Sequence, residues 1–195
     1  MTGSRSPRAH DAPVPNEALL VRALQGVVRR GGDGQLPAFA ATLGLPAPAV
    51  AAMRRRYWPQ VMQEPAEAPA DATSASITVL PKDFPALIGL LLQHRAAGVE
   101  AQAADWLAHA MAAACFGEHH LWEELGLQGR EDVSCLLHAY FPDLYHKNTQ
   151  NLRWKRFFFA ELGAARGDAA LRPPGCSACD HFALCFADDD KARDD

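Results

Sequence analysis

The chain has 195 residues, enough for one domain with its own core and no need of disulfide support. Its net charge of −4 gives no overall attraction for nucleic acid or an acidic membrane surface. The longest apolar run, ALIGLLL at 86–92, is far too short to cross a bilayer, and the opening MTGSRSPRAHDAPVPNEALL has no apolar signal segment. The expectation is a cytoplasmic protein that binds neither nucleic acid nor membrane.

Residues 1–15 are polar and proline-rich and read as a disordered tail. Asn16 is placed to cap a helix, EALLVRALQGVVRR, that Gly31 and Gly32 end. LPAFAATLGL supplies a short helix from Leu36 to about Leu43, and PAPAVAAMRRRYWP another that Pro59 stops. These make an N-terminal helical part, 16–63. Residues 64–78 open with EPAEAPADATSAS, which has no large apolar side chain and reads as a linker or surface loop.

The helical core spans 79–186. Asp83 is placed to cap a helix from Phe84 to about Arg95, with Pro85 in its first turn. EAQAADWLAHAMAAACF follows and ends at Gly117; HHLWEELGL is short; REDVSCLLHAYFP is stopped by Pro142; NTQNLRWKRFFFAELGAARG ends near Gly163 and Gly167. An acidic tail occupies 187–195. No stretch alternates with strand periodicity. The fold class expected is all-α: a single helical domain of seven or eight helices, with a C-terminal cysteine loop and disordered termini. One internal echo stands out. Leu43-Gly44-Leu45 precedes a helix ending Tyr57-Trp58-Pro59, and Leu125-Gly126-Leu127 precedes one ending Tyr140-Phe141-Pro142.

The chemistry-bearing stretch is PPGCSACDHFALCF, 173–186, with Cys176, Cys179 and Cys185 in C-x2-C-x5-C spacing. Pro173, Pro174 and Gly175 break the preceding helix and suit a tight loop. Thiolates are soft donors that select zinc, copper(I) or iron–sulfur chemistry. A closed zinc site uses four ligands and usually two paired spacings. Here there is one pair and one single, a pattern that iron–sulfur ligation tolerates better. Cys115 and Cys135, each alone in a helix, read as small apolar fillers.

Four blocks in order, HLWEELGL (120–127), YFPDL (140–144), NLRWKRFFFAEL (151–162) and CSACDHFALCF (176–186), resemble the NifQ family of nitrogen fixation. The resemblance implies a carrier of a molybdenum–iron–sulfur cluster that supplies molybdenum for the iron–molybdenum cofactor of nitrogenase. It implies the NifEN scaffold, NifH and molybdate as partners, and Cys176, Cys179 and Cys185 as cluster ligands. The family motif, C-x4-C-x2-C-x5-C, puts its first cysteine at position 171, which here is Leu171. Three readings follow. Three cysteines suffice, one for each iron of a three-iron cluster; or Cys135, Cys115, His120 or His181 substitutes; or the chain is a degenerate member lacking a ligand.

Beside the cysteines, Arg153, Lys155 and Arg156 lie among Trp154, Phe157, Phe158 and Phe159. They read either as a core helix with a solvated basic edge, or as charge that offsets an anionic cluster or attracts molybdate. His119 and His120 follow Cys115 closely, and His120 is the histidine of the H-L-W block. Arg54, Arg55 and Arg56 point around their helix and read as solvated. No P-loop, dinucleotide fingerprint or nucleophile elbow is present. The function expected is therefore that of a binding and carrier protein rather than an enzyme. The alternatives are a helical interaction module with a structural zinc-type cysteine site, and a redox dithiol at Cys176 and Cys179.

Overall fold

Among the described residues every regular element is a helix: α1 (Glu17–Gly32), α2 (Ala47–Tyr57), α3 (Phe84–Gln93), α4 (Ala101–Ala114), α5 (Leu121–Glu124), α6 (Arg130–Tyr140), α7 (Pro142–Lys147) and α8 (Trp154–Arg166). Short 3-10 segments occur at Ala38–Thr42, Pro59–Met62 and Pro174–Ala178. This computed structural model describes residues 15–62, 80–178, 182–183 and 185–186. The tails, the linker at 64–78, Cys179 and His181 lie outside them.

The Asn16 side chain accepts a hydrogen bond from the Leu19 amide at 3.2 Å and caps α1. The helix expected at Leu36–Leu43 is instead the 3-10 turn Ala38–Thr42, which starts behind Pro37 and stops where Leu43 turns left-handed, φ 57°. Five residues between a proline and a left-handed turn are too few for a stable α-helix, and 3-10 geometry is the usual result. Asp83 precedes α3, but its side chain makes no cap bond. It pairs with Arg166 near the end of α8 and ties the two helices together. The sequence reading of Pro142 as a stop hid α7, which begins at that proline.

Alanine-rich α4 is the hub. Ten of its fourteen residues are buried, because small side chains on every face let neighbours approach from all round. α1, α3, α5 and the 3-10 turn at 38–42 pack on it. Phe39, Phe84, Phe116 and Phe159 meet edge to face, with ring centroids 4.9 to 6.4 Å apart, and tie the 3-10 turn, α3 and α8 together. α8 is buried on more than one stripe: Phe157, Phe158 and Phe159 are all in the core.

The internal echo is geometric as well as textual. Gly44 and Gly126 are both left-handed, φ 64° and 65°. The helices that follow, α2 and α6, are each 11 residues long. They end on the same backbone turn: Trp58 has φ −135°, ψ 55°, and Phe141 has φ −137°, ψ 57°. Each aromatic amide donates back to the carbonyl four residues earlier, Arg54 and Leu137. A proline then starts the next short helical segment in both copies.

Candidate functional site

The cysteine loop docks on the turn that joins α4 to α5. A Cβ placed on Gly175 would overlap the Gly117 carbonyl, so only glycine lets the two backbones meet at this point. Gly117 is equally confined, by the Glu124 carboxylate. Between the loop, the 117–122 turn, α6 and the start of α8 lies a cavity with about 640 Å³ of empty space, its open mouth included. Cys176 and Cys185 both line it, and both are half-buried.

The cavity is basic. Among the described residues Arg130, Arg153, Lys155 and Arg156 line it, against the one carboxylate of Glu118. The solvated basic edge that the sequence allowed does not extend to Lys155, while Arg153 and Arg156 are half-buried. Lys155 is 7% exposed, and its ammonium donates to the Gly117 carbonyl at 2.9 Å. Arg156 donates to the Cys185 carbonyl, and its guanidinium lies 5.0 Å from the Phe186 ring centroid, as does that of Arg172. These contacts fasten the Cys185 end of the loop to α8.

His120 starts α5 and lines the same cavity, its amide held by the Glu123 carboxylate at 2.8 Å. Its Nε2 lies 3.2 Å from Arg153. A guanidinium can only donate, so this contact makes Nε2 an acceptor whose lone pair is taken up by Arg153 at the cavity wall. Arg130 braces the wall from α6. It donates to the Asn151 carbonyl, the Asn151 side chain and the Leu152 carbonyl at 3.2, 2.7 and 2.8 Å, and it covers the Trp154 ring at 5.4 Å. Burial, helped by neighbouring Arg153, draws the Arg130 pKa below its ordinary value.

Behind the wall sits Glu124, which is fully buried. Its Oε1 accepts from the His119 amide at 2.8 Å, with Lys155 Nζ at 4.0 Å; its Oε2 lies 3.6 Å from Arg30. No sequence signal marked this carboxylate. The only hint is that it stands in a run, LWEELGL, too short and apolar to leave both glutamates in water.

The other candidates fall elsewhere. Cys135 is exposed on α6 and does not line the cavity. Cys115 is fully buried in the core beside it; burial, with a smaller push from Cys176 and against the pull of Lys155, raises its thiol to about 12. Leu171 packs against the core and lines a neighbouring cavity with Gly163 and Asp168, across a wall shared through Arg156 and Phe186. Phe157, Phe158 and Phe159 do not line the cysteine cavity; its aromatic lining is Trp122, Trp154 and Phe186. Among the described residues no three His, Cys, Asp or Glu side chains converge on a point that could hold one metal ion.

The donor set suits an anionic, soft-metal group: two thiols and two imidazoles among the described residues, in a cavity where four cationic side chains outnumber the Glu118 carboxylate. Fold and site together define an all-helical protein with a basic, cysteine-bearing cavity. The NifQ family profile matches residues 23–187. Protein NifQ of Azotobacter vinelandii is 33% identical, the match covering 84% of this chain and 86% of that protein. Protein NifQ of Rhodobacter capsulatus is also 33% identical, over 90% of this chain and 92% of that protein. The NifQ homolog of Sinorhizobium fredii is 41% identical over 51% of this chain and 43% of its own. No solved structure matches. The chain belongs to the NifQ family, a family named for nitrogen fixation.

Proposed function

We propose that this chain is a carrier that holds an iron–sulfur unit, takes up molybdenum from molybdate and passes it on for the iron–molybdenum cofactor of nitrogenase. In this reading its work is ligand exchange rather than turnover of an organic substrate, and NifEN and NifH receive the metal. The observation that carries it is the meeting of two thiols with four cationic side chains in one cavity. A thiolate-ligated metal–sulfur group is anionic and needs that compensation once it leaves water.

Cys176 and Cys185 are the thiol ligands within the described residues, and Cys179, in the same short loop, is the third. His120 is the imidazole on the opposite wall, able to donate once Arg153 releases its Nε2. The bound group would supply soft-metal coordination and electron storage. The chain's own residues do the rest. Gly175 lets the loop seat against the 117 turn, Arg156 holds the Cys185 end, and Trp122, Trp154 and Phe186 exclude water from one side. Leu171 leaves the ligand count at three cysteines, which suits a carrier whose metal must depart.

The test is Cys179→Ser. The expected result is loss of iron and molybdenum retention with helical content intact by circular dichroism. Unchanged metal content would sink the reading, and stoichiometric zinc in its place would favour a structural cysteine site.

A further inference from the structure

Lys155 and Glu124 form a buried charge pair at the base of the cysteine cavity, and neither is needed as a ligand. Lys155 reaches the cavity wall that Cys176 and Cys185 share, while Glu124 lies behind it and does not line that cavity. A third charge, Arg30, sits beyond Glu124 with its side chain 21% exposed, and lines a separate cleft on the far side of the 117–119 turn. The order outward from the thiols is therefore cation, carboxylate, cation. Lys155 is thus the charge of this row that reaches the cavity, with Glu124 and then Arg30 set behind it.

Buried charge is costly unless it is compensated, and its field is weakly screened where water is scarce. The Glu124 Oε1 atom accepts from the His119 amide and lies 3.3 Å from the His119 ring, while its buried Oε2 makes no hydrogen bond and has Arg30 at 3.6 Å. Lys155 lines the cavity and Glu124 does not, so the ammonium acts on the cavity at shorter range than the carboxylate does. The nearby Cys115 thiol adds no charge of its own, since burial keeps it protonated.

We propose that the Lys155–Glu124 pair tunes the reduction potential of the metal–sulfur group held by the cysteine loop, Lys155 raising it and Glu124 moderating that effect. The inference rests on the carrier reading above. Reduction adds negative charge, so a nearby cation favours the reduced form and a nearby carboxylate opposes it. These are positioning and tuning residues: both hold the 117–119 turn, and both act on the bound group through their fields.

The experiment compares the full-length chain with Lys155→Met, Glu124→Gln and Arg30→Met. Each is loaded anaerobically with ferrous iron, sulfide and molybdate, and the midpoint potential is followed by electron paramagnetic resonance. Lys155→Met is expected to lower the potential, by about tenfold in the reduction equilibrium or about 59 mV for one electron. Glu124→Gln is expected to raise it, and Arg30→Met to lower it by less. A purely structural role for the pair would give shifts of one sign, or none. Shifts of one sign, or unchanged potentials in chains that hold normal iron, would overturn the inference. Should Lys155→Met fail to fold, Glu124→Gln against Arg30→Met carries the same opposite-sign test. A wild-type chain that takes up no iron and sulfide would overturn the carrier reading, and this inference with it. A loaded wild type with unresponsive variants would overturn the inference alone.

Discussion

Gly175 lies directly against the backbone of Gly117, with no room for a side-chain carbon between the cysteine loop and the α4–α5 turn. This contact fixes the loop against the turn just before Cys176.

Gly175→Ala should therefore push the loop off the turn. The expected cost is about 1–3 kcal/mol of stability, the usual range for overpacking, together with loss of iron retention. Gly98→Ala, at a position open to space, is the control and should change neither. Thermal melts and iron analysis of the two variants check this. Equal behaviour would mean that the loop does not depend on the contact.

His120 should appear as a close neighbour of the bound group, or as its nitrogen ligand once Arg153 lets go of Nε2, because it lines the cavity that holds Cys176 and Cys185. Pulsed electron paramagnetic resonance of the loaded chain should show a nitrogen-14 coupling that His120→Ala removes. Arg153→Met frees Nε2 from its guanidinium and should leave that coupling in place. A coupling that survives His120→Ala would assign it elsewhere.

Arg130→Met should loosen the cavity wall. It removes three hydrogen bonds to Asn151 and Leu152, and Asn151 is held left-handed at φ 53°. At roughly 1 kcal/mol net per bond, a loss of about 1–3 kcal/mol is expected. Faster amide exchange should be confined to residues 148–153. Exchange spread evenly over the chain would count against a local brace.

The free thiols should separate by reactivity. Cys135, exposed, should alkylate first in the metal-free native chain, and Cys115 only on unfolding. Burial raises the Cys115 thiol from 9.0 to about 12 and the Tyr140 hydroxyl from 10.0 to about 12. Both folded-state values lie above the unfolded ones. Their stabilising effect is therefore complete below about pH 9 and is lost as pH climbs toward 12. Each group contributes up to about 1.4 kcal/mol per pH unit within its own window. Cys115→Ala should flatten the part of the alkaline slope that begins near pH 9; an unchanged slope would show that the thiol does not titrate on unfolding.

Local signals were the legible part of the sequence. Asn16 caps α1, Pro85 sits in the first turn of α3, and the two Leu-Gly-Leu stretches mark matching turns, each set by residues adjacent in the chain. What distant packing decides was not legible. Asp83 has the chemistry of a cap, yet Arg166, 83 residues away, claims its carboxylate. Lys155 stands in a basic run that reads as solvated, and only the approach of α8 to the 117 turn buries it. Glu124 looks like any surface glutamate until Arg30 and His119 close around it. The cysteine spacing pointed to the candidate cavity, and three of its four cations, Arg153, Lys155 and Arg156, stood in a visible basic run; Arg130, brought in from α6, is marked by no motif.

The most direct test of the central claim is metal analysis of the chain purified anaerobically from molybdate-supplied cells, with an electron paramagnetic resonance spectrum of the same sample. The account predicts about three iron atoms per chain together with molybdenum, and a spectrum from a metal–sulfur centre. Zinc alone, or a metal-free chain that keeps its fold, would contradict it.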